Sequence, residues 1–399
     1  MRPGQKDQHA SQISAPAKGP ESDLISTVII GAGPAGLSVA ACLKKAQIAN
    51  VILEKEDRVG SSWGKYYERL RLNTDKRDSA LPYLPFPPAC PRYPSRREVL
   101  AYLESYAHHF GLNPRLNERV LTAQRQDIFW ETQTPTATYR SSNLVVATGS
   151  NQHAAIPNWK GQEGFQGDFL HSIDYKNGSP FKGQNVLVVG IGNSGGEIAL
   201  DLYEHGARVS ICVKGPVNIL PRDIFGIPVL KTVNRLTKMP MAFSDYLRSA
   251  LFKILCYNLP QYGIIKPSYD PITQTNRFGK LPLIDKGTVA KIKNGDINVY
   301  PGISHFSKKE IHFENGDHGR FGAVVLATGY RPRLDAFLKV GPGLLDNQGR
   351  PRGKSCIADL PGLYFCGFTV SSGGILNRIG AEARQICQHI ADTKTAQQF

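Results

Sequence analysis

The sequence predicts an α/β protein of two doubly wound, mostly parallel domains, the second inserted into the first. Three observations predict it. A strand, glycine-rich turn and helix pattern occurs twice, opening near residues 24 and 185. A strand ending in Ala-Thr-Gly also occurs twice, at Leu144–Gly149 and Val324–Gly329. A last apolar strand with a long amphipathic helix stands at the far C-terminus, after both patterns. The 399 residues, 41% hydrophobic and 20% charged, have the composition of a folded chain with room for two or three domains.

In chain order, residues 1–22 are polar and spotted with Pro and Gly, and read as a flexible tail rather than a leader or anchor. Leu24–Ile30 is a β-branched run leading into Gly31-Ala32-Gly33-Pro34-Ala35-Gly36 and a helix of small residues. The next strand, Val51–Leu53, ends in Glu54, eighteen residues beyond the last glycine. Such a unit binds a dinucleotide. Gly31 permits the tight turn, Gly33 lets backbone approach a pyrophosphate, Gly36 lets helix and strand close together, and Glu54 accepts from a ribose. Ser95–Glu98 is a capping box opening a helix to Phe110, with Gly111 as its stop. The first Ala-Thr-Gly, with Thr148 and Gly149, finishes this part.

Asn185–Val189 then runs into Gly190-Ile191-Gly192-Asn193-Ser194-Gly195, a second unit of the same kind. Here no carboxylate follows the second strand. Lys214 stands there, and a cation at that place favours a ribose 2′-phosphate, hence NADPH over NADH, with Arg222 assisting. Gly192–Gly196 also satisfies G-x-S-x-G, the turn of α/β-hydrolases, but no His-Gly-Gly oxyanion segment accompanies it, so Ser194 reads as a phosphate-side hydroxyl. Met241–Leu255 is amphipathic, with Phe243, Leu247, Leu251, Ile254 and Leu255 to one side, and reads as core with a substrate-facing edge. Gly362–Gly367 supplies the missing strand of the first domain. The helix after Ser371–Gly374, with Ile375, Leu376, Ile379, Ala383, Ile386 and Ile390 on one face, points its positive end at whatever the domain binds. The boundaries that follow are 1–22 for the tail, 23–155 for the first part of the first domain, 156–330 for the inserted domain and 331–399 for the return.

A net charge of +15 admits nucleic acid, an anionic surface or anionic small ligands. No nucleic-acid-binding module is visible; Lys214 and Arg222 give part of the charge a use toward anionic ligands, and most of the excess reads as solvated basic surface. Seven cysteines without a C-x-x-C argue against a disulfide framework or a zinc ribbon, and no histidine spacing suits a metal. No stretch has the length of a membrane span. A cytoplasmic protein is expected, with a homodimer left open.

Phe165-x-Gly167-x-x-x-His171-x-x-x-Tyr175 matches a fingerprint of class B flavin-dependent monooxygenases, and Tyr175 resembles the flavin-containing monooxygenase branch. Trp63–Asn73, Leu84–Pro87, Tyr93–Leu100, Gly190–Glu197, Leu220–Asp223 and Gly279–Ile303 are similar to the plant YUCCA-type enzymes and their bacterial relatives. The resemblance spans about residues 24–390. It implies that NADPH reduces FAD, that reduced flavin and O2 form a C4a-(hydro)peroxyflavin, and that an arylpyruvate such as indole-3-pyruvate, an anionic 2-oxo acid, is oxidatively decarboxylated to the arylacetate. N- or S-oxygenation of soft nucleophiles, and flavin reduction or oxidase chemistry without oxygen transfer, are the alternatives. Carried over by motif, Gly31, Gly33, Pro34, Ala35, Gly36, Glu54, Lys55, Trp63, Thr148, Gly149 and Gly367 hold FAD, with Asn73 at the reactive flavin edge. Gly190, Gly192, Asn193, Ser194, Gly195, Lys214 and Arg222 hold NADPH. Gly167 and His171 contact cofactor from the linker between the domains.

Overall fold

The computed structural model describes residues 24–237, 250–353, 355–371 and 373–396. The N-terminal stretch read as a tail lies outside them, as does most of the 241–255 segment.

In the first domain, β1 (Ile25–Ile30) leads through the glycine turn into α1 (Pro34–Lys45) and back to β2 (Asn50–Leu53). The helix α2 (Arg96–His109) follows, opened by the expected capping box: Ser95 accepts from the Glu98 N–H and the Glu98 carboxylate accepts from the Ser95 N–H. An antiparallel meander of β3 (Thr122–Gln126), β4 (Phe129–Gln133) and β5 (Thr138–Val146) completes the N-terminal part. β1 lies between β2 and β5, parallel to both. It is buried on both faces, as a central parallel strand must be, and its Val28-Ile29-Ile30 end suits that place. β5 is long enough to serve two partners. Its Thr138–Ser141 half pairs with β4, and its Leu144–Val146 half pairs in parallel with a strand from the far end of the chain.

The second domain is built on a five-stranded, wholly parallel sheet among the described residues. Its strands are β6 (Asp168–His171), β7 (Asn185–Val189), β8 (Arg208–Cys212), β9 (Ile297–Tyr300) and β10 (Ala323–Leu326), in the order β9-β8-β7-β10-β6. Between β7 and β8 lies α3 (Asn193–Glu204). The chain then returns to the first sheet with β11 (Leu363–Phe365), the strand beside β5, and ends in α4 (Ile375–Ala396). The second domain is thus inserted into the first.

Side chains alternate along β1 and β5 to feed two cores. Ile29 and Val145 face α1 and α4, while Val28, Ile30, Leu144 and Val146 face Trp130 and β11. α1 is sandwiched between sheet and α4, so Ala35–Leu43 are buried all round; Gly36, Ala40 and Ala41 permit that closeness. On α4, Leu376, Ile379, Ala383, Ile386 and Ile390 are buried as expected, but Ile375, at the helix start, is 46% exposed. The described end of the 241–255 segment corrects the expected face. Phe252 and Cys256, four residues apart, are buried against Leu220, Val229, Val233, Ile272 and Ile284, whereas Ile254 is 80% exposed.

Candidate cofactor sites and the seam between them

In the first sheet Ile30, Leu53, Val146 and Phe365 stand in register, so the residues that follow them emerge together at the carboxyl edge. This is where an open α/β sheet receives its ligand. The three glycines of the first turn have three different surroundings. Gly31 has φ +108°, and a Cβ on it would lie 2.7 Å from the Ala147 carbonyl oxygen. A Cβ on Gly36 would lie 1.8 Å from the Gly31 oxygen, which no side chain survives. A Cβ on Gly33 would meet nothing within 4 Å. The first two glycines therefore serve the fold, and the third faces open space. Gly33 is also the N-cap of α1, without a capping side chain and with Pro34 and Ala35 in the first turn, so the leading N–H groups are available to an anion.

Around this cradle the buried Glu54 accepts from the Ala32 N–H at 2.7 Å and the Glu56 N–H at 3.1 Å, which fixes the turn and leaves carboxylate lone pairs in hand. Lys55 donates to Gln152 Oε1 at 2.8 Å. Trp63, on the short helix Ser61–Lys65, packs against the α1 core and meets Tyr66 edge-on at 5.7 Å. Gly149 has φ +80°. Gly367, φ +85°, lies against Ala35 and donates its N–H to the buried Glu382 at 2.8 Å. A Cβ on Gly374 would come within 2.7 Å of Thr74, so the start of α4 sits against the residue next to Asn73.

Two buried polar atoms here have no partner among the described residues: Asn73 Oδ1 and Thr148 Oγ1. Thr328, the counterpart of Thr148 in the second Ala-Thr-Gly, donates to the Ala155 carbonyl at 2.6 Å. Buried polar atoms are nearly always hydrogen-bonded. Two such orphans, Thr148 next to the Gly31 turn and Asn73 next to the residue packed on the start of α4, fit a polar ligand.

The second turn repeats the first. Gly190 has φ +104° with its Cβ position 2.7 Å from the Ala327 oxygen; a Cβ on Gly195 would lie 1.9 Å from the Gly190 oxygen; Gly192, the uncapped N-cap of α3, faces nothing within 4 Å. Lys214 is exposed, two residues beyond the end of β8. The Asn193 amide is engaged with the chain, donating to the Pro282 carbonyl at 3.2 Å and accepting from the Ile284 N–H at 2.9 Å. Arg222 pairs with Asp223 at 2.9 Å and lies 4.5 Å from the Tyr93 ring centroid, so it faces the first domain.

Of the fingerprint residues, Gly167 is not brought to this edge. It precedes β6 at the amino end of the sheet, where a Cβ would strike the Gly322 oxygen at 2.6 Å and the Phe165 ring at 2.7 Å, so it serves packing. His171 ends β6 at the carboxyl edge but is satisfied within the protein. Nδ1 accepts from the Ile173 N–H at 3.2 Å, and Nε2 is 3.0 Å from the Gly329 carbonyl, which assigns the proton to Nε2. Burial holds its pKa below the ordinary imidazole value.

The seam between the domains carries residues that motif reading missed. Tyr67 is 2% exposed and belongs to the core of the second domain, although it lies between Trp63 and Asn73 of the first. Arg69 grips Glu204 of α3 with both guanidinium nitrogens. Lys286 donates to Glu197 Oε1 at 2.7 Å and to the Arg71 carbonyl at 3.1 Å, with side-chain exposures of 9% for Lys286 and 2% for Glu197. Burial raises the Glu197 pKa and lowers that of Lys286. A carboxylate next to Ile198, inside a helix of small and apolar residues, is the signal that could have found Glu197; Lys286, between Asp285 and Gly287, reads as an ordinary turn residue.

Residues 28–222 match the family model described as pyridine nucleotide-disulphide oxidoreductase. The chain is 39% identical to YUCCA3 of Arabidopsis thaliana, over 86% of this chain and 82% of that one. It is 36% identical to the indole-3-pyruvate monooxygenase YUCCA4 of Oryza sativa subsp. japonica, over 92% and 88%. The flavin-containing monooxygenase from Stenotrophomonas maltophilia superposes with a TM-score of 0.73 at 23% identity, over 94% of this chain and all of that one, and so shares the fold. With twin glycine cradles on two parallel sheets and this extent of identity, the chain belongs to the YUCCA family of flavin-dependent monooxygenases.

Proposed function

We propose that the enzyme uses FAD in the first cradle and NADPH in the second to convert an arylpyruvate such as indole-3-pyruvate into the arylacetate and CO2. The observation that carries this is the pair of matching glycine cradles, each opening a helix with an uncapped N-terminus, together with the unpartnered Asn73 Oδ1. The α1 N-terminus and Gly33 receive the FAD pyrophosphate, Glu54 its ribose, and Thr148 and Asn73 supply hydrogen-bonding groups toward the flavin. The α3 N-terminus, Gly192 and Ser194 receive the pyrophosphate of NADPH, and exposed Lys214 its 2′-phosphate. When bound, the flavin supplies the redox and oxygen chemistry, so the chain is asked to bind, orient and exclude water. A basic surface draws in the substrate carboxylate.

The overall reaction balances as one 2-oxo acid, O2, NADPH and a proton giving one acetic acid, CO2, water and NADP+. With 18O2, one labelled oxygen should appear in indole-3-acetate and one NADPH should be consumed per product. NADPH oxidation that yields only hydrogen peroxide, whatever arylpyruvate is offered, would overturn the reading. Lys214→Ala should raise the KM for NADPH about ten- to a hundredfold and leave that for NADH nearly unchanged, since a charge-assisted hydrogen bond is worth about 1.5–3 kcal/mol.

A further inference from the structure

We propose that Lys286, through its pairing with Glu197, is a positioning residue that fixes the segment leading to Asn73 in the first domain against the NADPH-binding helix of the second. It rests on the cofactor assignment above.

The geometry behind it is a chain of contacts across the seam. Glu197 lies on α3 one turn after Ser194, the helix start that faces the second cradle. Its Oε1 takes the Lys286 ammonium at 2.7 Å, and the same ammonium reaches across to the Arg71 carbonyl at 3.1 Å, two residues before Asn73. Tyr67, from the same segment, is buried in the second domain's core, and its hydroxyl lies beside Ser194 and Glu197. Arg69 ties that segment again to Glu204, at the far end of α3. Residues 67–71 thus form a strap anchored along one helix, and Asn73 is the first polar side chain past its end.

A buried ion pair is poor value as plain stabilisation, because desolvating both charges offsets most of their attraction; an apolar pair of the same size often does as well. Its directional value is different. Lys286 has three donors aimed from one atom, and two of them join a carboxylate on one domain to a backbone carbonyl on the other. The Glu197 carboxylate is held almost wholly out of water, with the Tyr67 hydroxyl beside it. That is a costly arrangement, and it is placed at the one seam where the distance between two cofactors matters. Reaction between two bound groups falls steeply with small misplacements, of the order of a hundredfold for about 1 Å.

Lys286→Met alone strands the Glu197 charge and is a risk to folding, so the test uses the double variant Lys286→Met/Glu197→Gln, which removes both charges. With FAD bound, anaerobic stopped-flow should show flavin reduction at saturating NADPH slowed at least about tenfold, while the Kd for NADP+ stays within about twofold. A structural defect alone would lower stability without dividing rate from affinity in this way. Hydrogen exchange of the double variant without NADPH should be at least about tenfold faster for amides 67–73 and unchanged in β7. Wild-type reduction rates or wild-type exchange in the strap would overturn the inference. If NADPH fails to reduce the wild-type flavin, the cofactor assignment falls instead, and the exchange comparison still judges the strap by itself.

Discussion

His171 shows how a single residue couples the surroundings of the second Ala-Thr-Gly motif to pH. Its imidazole clips the end of β6 to Gly329 and is buried in its neutral form. Because burial lowers its folded-state pKa, the unfolded chain takes up the proton more readily. Stability from this group is therefore full above the ordinary imidazole value of about 6.5, and is lost as pH falls from there through the folded-state pKa. Thermal unfolding midpoints should drop between pH 7.5 and 5.5, with a shallower slope in His171→Asn, which keeps a donor for Gly329. Equal slopes in the two proteins would assign the acid sensitivity elsewhere. Losing the imidazole contacts should cost about 1 kcal/mol at neutral pH.

Among the elements, the two glycine turns separate folding from binding. Gly33→Ala and Gly192→Ala add a methyl to open space, so melting temperatures should stay close to wild type while affinity falls about tenfold or more, for flavin in the first variant and for NADPH in the second. Gly36→Ala and Gly195→Ala drive a Cβ into backbone oxygen at 1.8 and 1.9 Å, so these should fail to give folded, flavin-containing protein. Flavin absorbance per mole and NADP+ titration read both results. These turns were legible because their constraints are local: three glycines within six residues, a strand before and a helix after. The α4 face Ile379, Ala383, Ile386 and Ile390 was legible for the same reason, through its period. Spacing does not say which end of a strand a residue occupies, so Gly167 was misplaced. Around Phe252 and Cys256 the partners are far away in sequence, and local amphipathicity put the buried face one residue off. Lys286 meets Glu197 across 89 residues and Arg71 across 215, and no local pattern encodes such contacts.

For the whole molecule, the insertion makes the first domain depend on the last part of the chain. β11 pairs with the Leu144–Val146 half of β5, α4 covers α1, and Gly367 contributes to the first cradle. A chain ended before Leu363 should therefore carry no flavin, even though every strand of the second sheet is present; a normal flavin spectrum from such a truncation would contradict this dependence. The divided strand β5 also sets a timetable. On the ribosome, its Leu144–Val146 edge emerges long before its partner, and at about 5–20 residues per second roughly 200 residues of intervening chain take about 10–40 s to appear. The second sheet, whose five strands all lie within that interval, can close while the first still waits with an unpaired edge, the kind of surface that invites pairing with other chains. The domain that comes first in the sequence is thus the last to be finished, and its maturation is the step most exposed to aggregation when synthesis outruns folding.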